Sequence, residues 1–213
     1  METLPKGQDF LKKHGLNLFA VLDCHTLPSE TAAVFTQAAI PLHDYQRLVL
    51  IGNGGRAFWD ALQTSGLQTA APVDDFSEQI TRQFVQNYLP PTAELLWLFP
   101  SQHLVPLQQL GQLAGWSHPS PLGLGINHEF GLWFAYRAAF LTTAELPLTT
   151  TKRHPSPCDS CAGKPCISHC PAAAVQGINQ FDVPACATYR LAPHSPCADR
   201  CLSRLACPIA PQH

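Results

Sequence analysis

The sequence predicts an α+β fold in two parts, a mixed α/β domain over residues 1–150 and a short cysteine-rich module over residues 151–213. Three observations carry that expectation. Short apolar runs alternate with helical periodicities in the first part, those periodicities stop near residue 145, and eight of the nine cysteines lie between Cys158 and Cys207. With 213 residues and 46% hydrophobic content, the chain has apolar surface enough for one sizeable core and an appendage.

Taken in order, Asp9–Leu16 is amphipathic. Leu16–Leu22, Leu48–Ile51 and Leu95–Phe99 are short apolar runs suited to buried strands. Gly52-Asn53-Gly54-Gly55 follows the second run and precedes a helix at Ala57–Thr64. It reads as a tight turn in preference to a phosphate cradle, because the full dinucleotide fingerprint is missing. Phe76, Ile80, Phe84 and Tyr88 recur every four residues, which puts them on one helix face, and Pro90-Pro91 stops that helix. A further helix is expected over Val105–Trp116. Residues Leu122–Thr143 are apolar on both sides of Gly131 and carry Trp133, Phe134, Tyr136 and Phe140, which predicts a strand pair crossing the core. The proline-rich stretch Glu145–Pro157 breaks every pattern and reads as an extended linker, so the boundary is placed at 150.

A formal charge of -2 with 13% charged residues offers no basic run for nucleic acid or an anionic membrane. No apolar stretch is long enough to span a bilayer, and the start at Met1, Glu2 and Lys6 lacks the basic and apolar regions of a secretory signal. A cytoplasmic protein is expected. In a reducing compartment crowded cysteines favour metal chemistry over disulfides. Cys24 stands apart between Asp23 and His25, where core packing is a better reading than a reactive thiol.

The cysteine order is Cys158-x2-Cys161-x4-Cys166-x3-Cys170-Pro171, then Cys186, then Cys197-x3-Cys201-x5-Cys207-Pro208. Each half closes on Cys-Pro. A cubane needs four thiolates converging from different directions, and in two-cluster ferredoxins the cysteine before proline ligates the other cluster. That rule assigns Cys158, Cys161, Cys166 and Cys207 to one [4Fe-4S] cluster and Cys170, Cys186, Cys197 and Cys201 to a second. The x4, x3 and x5 gaps depart from strict bacterial spacing and leave the partition open. Zinc is the rival, since four thiolates also make a tetrahedral zinc site. The Cys-x3-Cys-Pro ending and the small residues Ala172 to Ala174 favour the bulkier cubane. Residues 151–213 hold six Lys/Arg against three Asp/Glu, an excess that offsets most of the roughly minus two charge of each oxidised cluster with its thiolates.

From Gly115 to Pro208 the sequence resembles the cobalamin-dependent epoxyqueuosine reductases. The matching pieces, in order, are Gly115-Trp116, His128-Glu-Phe-Gly-Leu-Trp-Phe134, Glu145-Leu-Pro147, the first cysteine motif, Cys186 and the closing Cys-Pro. The resemblance implies a nitroreductase-like N-terminal domain that holds a corrinoid, and a two-cluster ferredoxin-like module that passes electrons to cobalt. Ile126–Arg137 is also similar to the strand pair of the cblC-type cobalamin-processing protein. Arg137 and His128 are the candidate cofactor-binding residues; His103, His118 and His128 could ligate a metal or cobalt, although a lone histidine is more often a surface or satisfied core residue. A charge inside an apolar pattern needs a partner, and for Arg137 a ligand anion, Glu129 and Asp74 are the alternatives. Where the family places a catalytic Asp three residues before a proline, this chain has His103 before Pro106, and no room after Cys207 for tRNA-gripping repeats. A tRNA substrate is therefore not expected. The expected function is iron-sulfur electron transfer, as a reductase serving a bound corrinoid or similar cofactor or as a non-catalytic carrier with a docking domain; the least favoured alternative is a zinc-stabilised interaction module. Partners would be an electron donor or acceptor protein and, for the reductase, a small-molecule substrate.

Overall fold

The computed structural model describes residues 3–101, 103–152, 154–178 and 180–209. Met1, Glu2 and Arg153, which enter the sequence argument, lie outside the described residues. Along the first half run α1 (Thr3–Lys13), β1 (Leu18–Asp23), α2 (Ser29–Gln37), β2 (Arg47–Gly54), α3 (Ala57–Ser65), α4 (Pro72–Tyr88) and β3 (Leu95–Phe99). Then come α5 (Leu107–Leu113), β4 (His118–Pro119), β5 (Gly125–Ile126) and β6 (Phe134–Thr142). The tail adds α6 (Pro165–Ser168), β7 (Val175–Gly177), β8 (Gln180–Phe181), α7 (Val183–Leu191) and α8 (Leu202–Leu205).

The chain divides into two compact units, residues 1–114 with 135–151 and residues 115–134 with 152–213. This differs from the linear boundary expected at 150: a twenty-residue piece before β6 groups with the tail. In the first unit one sheet has the order β1-β2-β6-β3, with β1–β2 and β3–β6 antiparallel. The class is α+β. Leu48, Val49, Leu50 and Ile51 of the inner strand β2 are fully buried, which is why that strand reads as a continuous apolar run. Helix α4 opens with Pro72 and with Asp74 and Asp75 in its first turn, where the helix dipole favours negative charge. Its Phe76, Ile80 and Phe84 are buried as the four-residue spacing requires, each such side chain contributing roughly 1.5–3 kcal/mol. Helix α3 ends at Gly66, whose φ of +65° suits glycine.

The strand pair expected over Leu122–Thr143 is not what forms. Only Phe134–Thr142 makes a long strand, β6, while Gly125–Ile126 pairs with His118–Pro119 in a two-stranded ribbon of the second unit. Asn127, 3% exposed, forces the break. Its side-chain oxygen accepts from the Glu129 and Phe130 amides at 2.8 and 2.9 Å, and its amide nitrogen donates to the Trp116 carbonyl at 2.6 Å. The expected linker is extended, yet it is pinned: Thr149 exchanges hydrogen bonds with Val21 of β1, and Arg47 donates to the Leu146 carbonyl at 2.9 Å. Among the described residues no helix is long and apolar enough to cross a membrane.

Candidate functional site

The second unit builds its own small core from Leu122, Ile126, Leu132, Cys158 and Val175, against which Cys166, Cys170, Cys207 and Phe181 pack. Two similar turns present its cysteines. In Ser156-Pro157-Cys158 the Cys158 amide donates to the Ser156 hydroxyl at 3.3 Å, and in Ser195-Pro196-Cys197 the Cys197 amide donates to the Ser195 hydroxyl at 3.2 Å. The repeated Ser-Pro-Cys was legible in the sequence and is a signal that the cysteine spacing alone does not reveal. The x4 gap is absorbed by Gly163 and Lys164, both with positive φ, +71° and +38°, which turn the chain so that Cys166 stands on the first turn of α6. Cys186 rides on α7, whose N-terminus is capped by Asp182 accepting from the Ala185 amide at 2.9 Å. Cys201 is the residue that opens α8.

The electrostatics of the thiols sort them into two groups. Burial pushes Cys158 up, and the nearby sulfurs of Cys207, Cys166 and Cys161 push it further, with Lys164 opposing. Cys166 is raised by burial, then by Cys207 and Cys161. Cys207 is raised by burial and by Cys161, against an amide hydrogen bond from Ile209. Cys186 is raised by burial, then by Cys201, Cys170 and Cys197, against Arg190. The sulfurs that act on Cys158 are thus those of Cys161, Cys166 and Cys207, and those that act on Cys186 are those of Cys170, Cys197 and Cys201. Cys170 differs in sign. Burial pushes it up, but the Val175 amide, the Ser203 hydroxyl and the Ala174 and Ala172 amides all donate to its sulfur and leave it below the usual thiol range.

Among the described residues no three histidine, cysteine or carboxylate side chains converge on a point that holds a single metal ion. A tetrahedral zinc needs its thiolates about 2.3 Å from one centre, whereas a cubane spreads four of them around a larger body. The first group lines a hollow together with Leu122, Ile126 and Leu132, with Ser120 and Lys164 also on its wall. Four thiolates around such a hollow are the donor set of a cubane.

The other expected residues are scattered. Arg137, on β6 in the first unit, donates from Nε to the Asn53 side chain at 2.6 Å and lies over Phe58 at 4.4 Å and Trp59 at 5.7 Å. Burial lowers its value and the Asp74 carboxylate partly restores it. Asn53 belongs to the Gly52–Gly55 segment, which is the end of β2, and Asn17 takes both the N–H and the carbonyl of Gly54. With that amide occupied, Gly52–Gly54 is strand and not the tight turn expected, and the chain turns only at Gly55, whose φ is +72°. His128 is exposed and stacks on His154 at 3.9 Å. His103 is exposed and His118 is half-buried in β4. The sequence argument missed Ser203 and Arg204, for which a hydroxyl and a cation in the Cys201–Cys207 gap were the sole signal.

Fold and cysteine groups together define a class: an α+β domain around an antiparallel sheet, joined to a small cysteine-built module. Solved structures with this fold include epoxyqueuosine reductases. The Streptococcus thermophilus enzyme matches 100% of this chain and 67% of its own, with a TM-score of 0.64 and 11% identity. The Bacillus subtilis enzyme matches 98% of this chain and 65% of its own, with a TM-score of 0.59 and 12% identity. A B12-trafficking CblC protein from C. elegans, at TM-score 0.48 and 15% identity, covers 74% of this chain and 76% of its own. The chain spans about two thirds of the length of these reductases, and at such identity the likeness is one of fold. No protein-family model and no curated protein sequence matches it.

Proposed function

We propose that the chain is an iron-sulfur electron-transfer protein of the reductase kind, carrying two [4Fe-4S] clusters that serve a corrinoid or similar cofactor held by the first unit. The observation that carries the reading is the sorting of eight thiols into two groups of four. Cys158, Cys161, Cys166 and Cys207 would hold one cluster, Cys170, Cys186, Cys197 and Cys201 the other. Bound clusters supply one-electron storage at low potential. The chain's own residues do the rest: Leu122, Ile126 and Leu132 keep water from the first group, and Ser156 and Ser195 fix the turns that aim Cys158 and Cys197. The reductase fold supports the corrinoid part, with electrons taken from a donor protein.

A plain carrier without a corrinoid is the second reading, and Arg137 favours it. Its guanidinium is already engaged by Asn53, Phe58 and Trp59. Protein purified without oxygen is expected to contain about eight iron and eight acid-labile sulfide per chain, with a broad absorption band in the violet. Zinc without sulfide would defeat both readings in favour of an interaction module. Titration with cobalamin then separates reductase from carrier, since the first binds it and the second does not.

A further inference from the structure

Between α3, α4 and the end of α1 the first unit carries a groove of about 760 Å³, a size typical of small-molecule sites. Its floor is Phe76 and Ile80 of α4, both buried. The groove stays open because α3 meets them with Ala57 and Ala61, one turn apart, where larger side chains would fill the space. Gly15 packs against the backbone of Ala57 and Phe58, which brings Lys13 and His14 to the first turn of α3, the turn that bears Asp60. Lys13 and Asp60 are exposed, and neither has an ion-pair partner among the described residues. The Phe10 carbonyl can only accept, so Nδ1 of His14, 2.8 Å from it, carries the proton and Nε2 of the neutral ring keeps a lone pair. Toward the other end of α3, Thr64 and Ser65 donate their hydroxyl protons to the Asp60 and Leu62 carbonyls at 2.8 and 2.6 Å, and Leu67 continues the wall.

One end of the groove thus offers a cation, a carboxylate and an imidazole lone pair, and the remainder an apolar bed with no free hydroxyl proton. A ligand with a single charge would leave either Lys13 or Asp60 without a counter-charge, whereas a zwitterionic head satisfies both. We propose that this groove binds an apolar α-amino acid. Its carboxylate pairs with Lys13, its ammonium with Asp60 and Nε2 of His14, and its side chain lies along Phe76 and Ile80 toward Leu67. Lys13 in the last turn of α1 and Asp60 in the first turn of α3 also complement the helix dipoles, a role that would affect stability and not the choice of ligand.

The test is an NMR titration of the isotope-labelled full chain, read at the amides of α3 and α4. The probes are L-phenylalanine, 3-phenylpropionate, which lacks the ammonium, phenethylamine, which lacks the carboxylate, and glycine, which lacks the apolar body. L-phenylalanine should saturate the shifts, and each of the other three should bind about tenfold more weakly. Asp60→Asn should weaken L-phenylalanine about tenfold and leave 3-phenylpropionate as it was, while Lys13→Met should weaken L-phenylalanine equally and leave phenethylamine as it was. Both side chains are exposed, so the variants keep the fold. No saturation by L-phenylalanine up to about 10 mM would overturn the proposal. So would shifts confined to residues outside α3 and α4, charge variants without effect, or glycine binding as well as L-phenylalanine. Displacement of L-phenylalanine by cobalamin would give the groove to the corrinoid and overturn it too. The groove lies within the first unit, so a second unit found without iron or sulfide would leave the amino-acid site standing.

Discussion

Cys24, 5% exposed just past the end of β1, has its thiol pushed up to about 12 by burial and then by the Asp23 carboxylate, with Arg47 opposing. A thiol raised on folding contributes stability that is fully present below its unfolded value and is lost as the pH climbs through the folded one. The loss should therefore run from 9.0 to about 12. Urea midpoints measured across that window should fall less steeply in Cys24→Ala than in the parent, and equal slopes would remove the claim. This residue was legible because it follows an apolar run. Arg137 was not: its partner is a neutral amide, Asn53, far away in sequence, and no charge pattern points to a neutral partner. Ser203 was illegible for a similar reason, since a hydroxyl among small residues becomes a donor only when α8 turns it toward Cys170.

Between α1 and β1 the chain turns at Gly15, with a φ of +78°, and a side chain there would run into the backbone of Phe58 at the start of α3. Backbone cannot step aside as a flexible side chain can. Gly15→Ala should cost about 3 kcal/mol, combining the left-handed strain with overpacking, and a thermal melt should show a drop of several degrees. A melt within a degree of the parent would mean that α3 shifts freely. The sheet strands and α4 were readable because their apolar spacing serves one core each. Residues 122–142 misled because two cores share one apolar stretch: Leu122, Ile126 and Leu132 enter the small one, Ala138 and Phe140 the large one. Composition runs on unbroken there, and the turn is set by Asn127, whose role depends on the Trp116 carbonyl.

Across the whole molecule, the two units differ in what holds them. The first has a core of many buried aliphatic and aromatic side chains, while the second has seven buried apolar residues among those described, one of them Cys158. A core so small leans on its metal sulfide for stability. Oxygen-driven loss of the clusters should raise hydrogen exchange in residues 115–134 together with 152–209, and leave β1, β2 and β6 protected. Protection retained in residues 115–134 alone would argue that they belong with the first unit. The two-part organisation was legible from cysteine crowding, but the early piece was not, because a segment joins a distant core by side-chain fit that linear order does not record. That division also has a consequence for synthesis. Residues 115–134 leave the ribosome well before Cys158 to Cys207, so at ~5–20 residues/s Leu122, Ile126 and Leu132 stand without their core for several seconds. For that interval the nascent chain presents a sticky apolar segment, and a chaperone that shields such segments should crosslink to residues 115–134 on stalled ribosomes and release them once the last cysteines have emerged.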